Sequence, residues 1–237
     1  MGGRYFFKMS DECLKEKEFF IKGEDFEAIY NNGVDLEQNS LLLHYVIDNP
    51  PFAFREQPLL YDQMRQFIAT RIGVLPNDIK LIGSAKTGFS ISIEEFGRSY
   101  NSNSDFDFAI VDRGLFSKLS KEYNHWRYAF ENGNVIPRSD RERGYWNSNV
   151  FVVEKNIERK FIDVDKLPAL KDVCPIAQNI LNTMWQVKDN LEKYNGINIR
   201  KASARIYSDF SSFYGQTLLN ISFVMKSRRG EYNCVKN

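Results

Sequence analysis

The stretch 81-LIGSAKTGFS-90 opens with apolar residues and then breaks into glycine, serine and lysine. Ile79 to Ile82 is a short apolar run ended by glycine, which predicts a buried strand. Gly83 allows close approach to the backbone, and Ser84 can donate its N–H and its hydroxyl to a phosphate oxygen. The turn is therefore a candidate phosphate site. Considered alone, a glycine that merely ends a strand is the more common arrangement.

A Walker A loop does not explain this turn. That motif has the form G-x-x-x-x-G-K-[ST], because its lysine must reach the outer phosphates. Gly83 and Gly88 have the required separation, but Phe89 stands where the lysine belongs. We therefore reject the P-loop interpretation.

A second predicted strand, 105-DFDFAIVD-112, carries two acids two residues apart. Alternation along a strand places Asp105 and Asp107 on one face and Phe106, Phe108 and Ile110 on the other. Carboxylates about 4 Å apart repel by roughly 4 kcal/mol at an effective dielectric of 20, so a pair on one face requires a cation. Oxygen ligands of this type suit Mg²⁺, which shares its remaining positions with water and substrate phosphates. Two solvated aspartates on an edge strand are the alternative.

A third acid would complete a site for two metal ions, one activating an attacking hydroxyl and the other holding a triphosphate. The stretch 160-KFIDVDKLPAL-170 offers Asp163 and Asp165, which would share one face of a strand. Alternation does not choose between them.

The remaining pattern predicts an α+β fold. Helical spacing predicts one helix from Pro58 to Arg71 and another that follows Gly114 and reaches Phe130. The stretch 149-NVFVVEKNIERKFIDVDKLP-168 predicts two strands around the polar turn EKN. From Ile176 onward the spacing is helical.

Gly83-Ser84, Asp105-x-Asp107 and a later acid resemble the active site of the DNA polymerase β-like nucleotidyltransferase superfamily. The ending VDKLPAL resembles the D-x-x-P-A-hydrophobic pattern of the oligoadenylate synthetase and CCA-adding branches. On that basis we choose Asp165 as the third metal ligand, with Asp163 as the fallback. The pair GSAKTGFS and SDFDFAIVD is similar to bacterial antiphage-defence nucleotidyltransferases, which make nucleotide signals or short oligonucleotides. Residues 85–104 form an insertion longer than the usual spacing of this pattern.

The resemblance implies three parts: an N-terminal helical or irregular extension over 1–57, a nucleotidyltransferase core over 58–172, and a helical C-terminal domain over 173–237. The core would be a mixed sheet flanked by helices.

It also implies an enzyme that transfers a nucleoside monophosphate from an NTP or dNTP to a hydroxyl and releases pyrophosphate. Gly83 and Ser84 would hold phosphates, while Asp105, Asp107 and Asp165 would hold two Mg²⁺ or Mn²⁺ ions. The implied partners are a nucleic-acid or oligonucleotide acceptor and a downstream effector protein. Two alternatives stay open: a toxin-type nucleotidyltransferase acting on a tRNA end or a protein, and an inactive nucleotide-binding module.

Composition limits the functions and the cellular locations that the chain could have. The 32 Lys and Arg residues almost cancel the 31 Asp and Glu residues, so contact with nucleic acid must be local. Lys201 and Arg205 would share a helix face within reach of the triphosphate, although such a pattern is more typical of a solvated face. The 3 cysteines are far apart, and we find neither a leader peptide nor a long apolar segment. These features predict a cytoplasmic protein without membrane insertion.

Overall fold

The computed structural model describes residues 18–231 of the chain. The strands are β1 (Ile79–Ile82), β2 (Phe106–Val111), β3 (Phe161–Asp163) and β4 (Ala202–Tyr207). The helices are α1 (Gly23–Asn32), α2 (Asp35–Leu41), α3 (Pro58–Ile72), the single-turn α4 (Ser84–Thr87), α5 (Arg113–Glu131), α6 (Asp140–Glu158), α7 (Pro175–Asn195) and α8 (Phe210–Arg228). A π-helical segment, Leu42–Asp48, continues α2, and short 3₁₀ helices occupy Phe52–Phe54, Pro76–Asp78 and Val164–Lys166.

The four strands form one mixed sheet in the order β1-β2-β4-β3. The pairing of β2 with β4 is parallel, whereas β1 pairs with β2 and β3 pairs with β4 in antiparallel fashion. In this register Asp107 lies opposite Ile82 on one side and opposite Ser203 on the other. Asp163 lies opposite Arg205. The inner strand β4 is therefore the link between the D-x-D strand and β3.

The two faces of the sheet differ in character. One face is apolar along its whole length and packs against α3, α5, α6 and α7 in the larger core. The other face has an apolar half, in which Ala109, Phe161 and Tyr207 pack with α8 and the N-terminal helices. Its remaining half carries polar side chains, and this half is where the candidate site lies.

The structure confirms the α+β class and several predicted elements. The helix predicted from Pro58 is α3, and Gly73 ends it in a left-handed conformation with φ +76°. The predicted strands before Gly83 and around the D-x-D motif are β1 and β2. The helix predicted after Gly114 is α5, which begins two residues earlier, at Arg113, because the Asp112 carboxylate caps it by accepting a hydrogen bond from the N–H of Leu115.

The prediction of two strands around EKN is wrong for the first strand. That stretch belongs to α6, which Ser139 caps by accepting a hydrogen bond from the N–H of Glu142. The buried residues of α6 are Trp146, Asn149, Val153 and Asn156. Their spacing of three and four residues is helical, and it outweighs the strand preference of the short run VFVV. Only Phe161–Asp163 is extended.

The prediction that residues 173–237 are helical throughout is also wrong, because β4 interrupts the helices. Ala202, Ala204 and Ile206 face the larger core, and polar residues alternate with them. Since β4 is an inner strand, this part of the chain completes the same sheet as residues 58–172 rather than adding only helices. Residues 1–17 and 232–237, in the predicted extension and C-terminal domain, lie outside the described residues.

Over residues 18–231, no helix combines the length and the apolar character that crossing a bilayer requires.

Candidate active site

The Gly-Ser turn lies directly beside the D-x-D strand. Gly83 has φ +69° and ψ −158°, a backbone conformation that essentially only glycine adopts. A Cβ at this position would lie 3.7 Å from Asp107 Oδ2. The antiparallel pairing of Ile82 with Asp107 produces this proximity, because it sets the end of β1 against the start of β2. The turn and the acids were predicted separately, and the sheet brings them together.

A cavity of about 770 Å³ opens over this corner of the sheet. Its floor is formed by residues from the Gly-Ser turn and from strands β2, β3 and β4: Gly83, Ser84, Asp105, Asp107, Asp163, Ser203 and Arg205. On another side it is bounded by α8 and the π-helical segment, through Thr217, Asn220, Ile221 and Val46. A volume of this size is typical of sites that hold a small molecule such as a nucleotide.

The predicted insertion forms part of the cavity wall. Residues 88–100 fold back on themselves, with Ser90 and Arg98 joined by a backbone hydrogen bond of 2.8 Å. Arg98 lines the cavity and also forms an ion pair of 2.9 Å with Glu95. The insertion therefore shapes the site rather than looping away from it.

Asp107, on β2, is half-buried. Burial raises the pKa of its carboxyl group above the ordinary value; the Ser203 hydrogen bond opposes that rise, and the Asp105 charge adds to it. Ser203 donates its hydroxyl to Asp107 Oδ1 over 2.5 Å. The ionised form of Asp107 is thus disfavoured in its surroundings, and a cation in the cavity would stabilise it.

Asp105 is held by an arginine from the loop before β4. Arg200 donates from Nε and from Nη2 to the two carboxylate oxygens, over 2.8 and 2.5 Å. The Arg200 side chain is 71% exposed, so this two-point pair is open to water. Pairs of that kind contribute up to about 1 kcal/mol, which a divalent ion can overcome.

Only one of the two candidates for the third acid lines the cavity of the D-x-D pair. Asp163, the fallback, lines the same cavity as Asp105 and Asp107, and it also borders a second cavity. Asp165, the first choice, lines that second cavity, of about 520 Å³, and forms an ion pair with Lys201. The prediction that both acids share a strand face is wrong, because β3 ends at Asp163 and Asp165 lies in the 3₁₀ helix that follows.

The prediction that Lys201 and Arg205 share a helix face is wrong, and the sequence alone gives Ser203 no role. All three belong to β4 or to the residue before it, and each contacts one of the acids. Arg205 Nε donates to Asp163 Oδ1 over 2.5 Å. The alternation of alanine with polar residues in 201-KASAR-205 was the signal that could have revealed the strand.

The acids present fit one divalent ion better than two. Among residues 18–231, no group of three His, Cys, Asp or Glu side chains is arranged to hold a metal. Asp105 and Asp107 nevertheless line one cavity, and Mg²⁺ commonly binds through one or two carboxylates together with substrate phosphates. Asp163 is already paired with Arg205. A metal ion that used Asp163 as a third carboxylate ligand would therefore first have to displace that arginine.

No protein-family model, no curated protein and no solved structure matches the chain.

Proposed function

We propose that this chain is a nucleotidyltransferase of the DNA polymerase β-like type. It would transfer a nucleoside monophosphate from an NTP or dNTP to a hydroxyl and release pyrophosphate. The observation that carries the proposal is the convergence of the Gly83-Ser84 turn with Asp105 and Asp107 in one cavity. A turn that offers backbone N–H groups to phosphate, set against two acids, is the pairing that this reaction needs.

Each of these residues would act by positioning. Gly83 leaves room for an outer phosphate at the backbone, and Ser84 donates hydrogen bonds to its oxygens. Asp105 and Asp107 hold the divalent ion, which when bound neutralises the phosphates and polarises the phosphorus that is attacked. No protein nucleophile is required, because most of the acceleration comes from orientation and charge stabilisation.

The charges around the cavity favour a divalent ion as part of the substrate complex. The lining contains four carboxylates and three guanidinium groups, from Glu95, Asp105, Asp107, Asp163, Arg98, Arg200 and Arg205. A triphosphate brings several more negative charges into this already acidic lining. A cation held by Asp105 and Asp107 would offset that repulsion.

A specific observation favours a second candidate, a nucleotide-binding module without turnover. Asp105 and Asp163 are both paired with arginines, so the protein itself neutralises two of the three aspartates that line the cavity. In that case the cavity would bind a nucleotide, and no product would form with or without a divalent metal ion.

The biological setting is part of the proposal. The similarity of GSAKTGFS and SDFDFAIVD to antiphage-defence nucleotidyltransferases favours a cytoplasmic enzyme that makes a nucleotide signal or a short oligonucleotide. A downstream effector protein would then sense the product. A tRNA end or a protein as the acceptor is the toxin-type alternative.

The test is a turnover assay with each labelled NTP and dNTP in Mg²⁺ or Mn²⁺, with products resolved by chromatography and on a gel. We expect free labelled product from the wild type and none from the Asp105→Ala, Asp107→Ala double variant. Asp172→Ala, which removes an exposed acid, is the matched control. Label on tRNA or protein would select the toxin-type reaction. Binding without product would select the module, and equal product from the double variant would exclude the proposed site.

A further inference from the structure

Arg205 is a cavity residue to which the proposed reaction assigns no role. It lies on the inner strand β4, and its side chain forms part of the cavity floor next to Ser203 and Asp163. The guanidinium lies 4.8 Å from the centroid of the Phe161 ring, in cation–π geometry. Asp163 accepts its Nε hydrogen, and the Tyr207 hydroxyl also hydrogen-bonds to it. The group is therefore fixed from three sides.

These contacts keep Arg205 charged and leave it donors to offer. Burial lowers the pKa of the guanidinium. The Asp163 charge and the hydrogen bonds to Asp163 and Tyr207 together raise that pKa by more than burial lowers it, so it lies above the ordinary value. A guanidinium has five N–H donors in a rigid plane. Asp163 takes the one on Nε, so others remain for a ligand in the cavity.

Of the three arginines around the cavity, Arg205 is the best placed to bind an anion. Arg98 and Arg200 have side chains 40% and 71% exposed, whereas Arg205 is 32% exposed. A charge that is less hydrated interacts more strongly with an anion, because the local dielectric is lower. A planar guanidinium also matches two phosphoryl oxygens at once, which a lysine cannot do.

We infer that Arg205 binds phosphoryl oxygens of the triphosphate, and that Asp163 is its positioning residue rather than a metal ligand. The identity of the anion rests on the proposed function. Arg205 supplies a fixed positive charge beside Asp163, the acid that a two-metal site would use as its fallback ligand. This assignment gives a role to the ion pair between Asp163 on β3 and Arg205 on β4.

The experiment measures the affinity for three ligands. Inorganic tripolyphosphate and a non-hydrolysable NTP are each titrated in EDTA and in Mg²⁺, and Mn²⁺ is titrated alone. We expect Arg205→Gln to weaken tripolyphosphate binding about 10- to 100-fold, as the loss of hydrogen bonds to a charged group does. Arg205→Lys should recover part of that loss, because it keeps the charge without the fork. Asp163→Asn should weaken tripolyphosphate binding less than Arg205→Gln and leave the Mn²⁺ affinity unchanged.

Arg127→Gln is the matched control, since Arg127 forms comparable ion pairs with Glu131 and Glu154 on α5 and α6. Urea unfolding of every variant separates loss of binding from loss of fold, and Arg205→Lys covers the case in which Arg205→Gln does not fold. Equal tripolyphosphate affinity in the wild type and both Arg205 variants would overturn the inference. So would a large loss of Mn²⁺ affinity in Asp163→Asn, or a wild type that does not bind tripolyphosphate.

The EDTA measurement keeps this test separate from the test of the proposed reaction. If the wild type shows neither Mn²⁺ binding nor turnover but Arg205→Gln still weakens tripolyphosphate in EDTA, the reaction is refuted and the Arg205 site stands. If turnover is metal-dependent and Arg205→Gln binds tripolyphosphate like the wild type, the reaction stands and the Arg205 site is refuted.

Discussion

Lys86 gives the structure a pH-dependent stability that one substitution should remove. The residue lies on α4, directly after the Gly-Ser turn, and is only 4% exposed. Its Nζ donates a hydrogen bond to the backbone carbonyl of Asn49 at the end of the π-helical segment. Burial, together with the smaller effect of the nearby Lys80 charge, lowers the pKa of Lys86 from 10.5 to about 8, while the Asp48 charge opposes both.

The size of the effect follows from this shift. Between pH 8 and 10.5 the unfolded chain keeps the Lys86 proton while the folded chain releases it. The free energy of unfolding therefore rises with pH across this window. A difference of about 2.5 pKa units at 1.36 kcal/mol each gives a rise of roughly 3 kcal/mol. Below pH 8 the lysine is charged in both states, and the full cost of burying the ammonium is present.

Lys86→Met should abolish this rise. At pH 7 the variant loses the cost of burying a charge but leaves the Asn49 carbonyl without its donor, which costs about 1–3 kcal/mol. The two changes nearly cancel, so stability at pH 7 is a poor test. The pH profile is decisive, because the wild type should gain roughly 3 kcal/mol over the variant between pH 8 and 10.5.

Urea titrations at pH 7.5, 9 and 10.5 measure the difference. Subtracting the variant's free energy of unfolding from that of the wild type removes the contribution of tyrosines, which ionise in both proteins. Lys118→Met, which removes an exposed lysine of α5, is the control and should follow the wild type. If the free energy of unfolding changed with pH in the same way in the wild type and in Lys86→Met, the lowered pKa of Lys86 would be refuted.

Three further predictions concern the site and its support. Gly83→Ala should lower the free energy of unfolding by up to about 3 kcal/mol, because the φ and ψ of Gly83 lie in a region nearly closed to other residues. Gly196→Ala, at an ordinary left-handed helix end, should lower it by about 1 kcal/mol, and equal losses in urea unfolding would refute this difference. Arg200→Gln should lower the Mn²⁺ concentration for half-saturation about two- to fivefold, because Mn²⁺ no longer has to break the ion pair between Asp105 and Arg200. Weaker binding of the variant in a Mn²⁺ titration would contradict this. Glu122→Ala should lower the free energy of unfolding by about 2–4 kcal/mol, because the Glu122 carboxylate accepts hydrogen bonds from two backbone N–H groups in the first turn of α7. An unchanged urea midpoint would show that those N–H groups find another partner.

Local signals were enough to predict the first half of the sheet. Strand β1 has three apolar residues out of four and is closed by glycine, and β2 begins with alternating aromatic and acidic residues, so both could be placed from neighbouring residues alone. Their antiparallel register, with Ile82 opposite Asp107, is a finding of the structure, and it sets Gly83 beside Asp107. The α+β class was predictable for the same reason.

Strand β4 could not be placed in this way. Its alanines favour a helix in isolation. They are extended because β2 and β3 supply hydrogen-bond partners on both sides, and β2 lies far away in the sequence. Tertiary pairing outweighed local preference, and the basic residues of β4 were therefore misplaced together with their strand.

Alternation could not choose between Asp163 and Asp165 for a geometric reason. It assumes that the strand continues, but the backbone turns into a 3₁₀ helix after Asp163, so that Asp163 lines the cavity of the D-x-D pair and Asp165 does not. A single sequence does not show where a three-residue strand stops. The resemblance to D-x-x-P-A endings, which favoured Asp165, has no test in this structure.

The most direct test of the central claim is a Mn²⁺ titration with and without a saturating non-hydrolysable NTP. If Asp105 and Asp107 hold the ion against phosphates resting on Gly83 and Ser84, the analogue should tighten Mn²⁺ binding at least about tenfold in the wild type, a coupling of roughly 1.4 kcal/mol. The Asp105→Ala, Asp107→Ala variant should show no such coupling. Identical Mn²⁺ affinities in the wild type with and without the analogue, or the same coupling in the double variant, would contradict the proposed site.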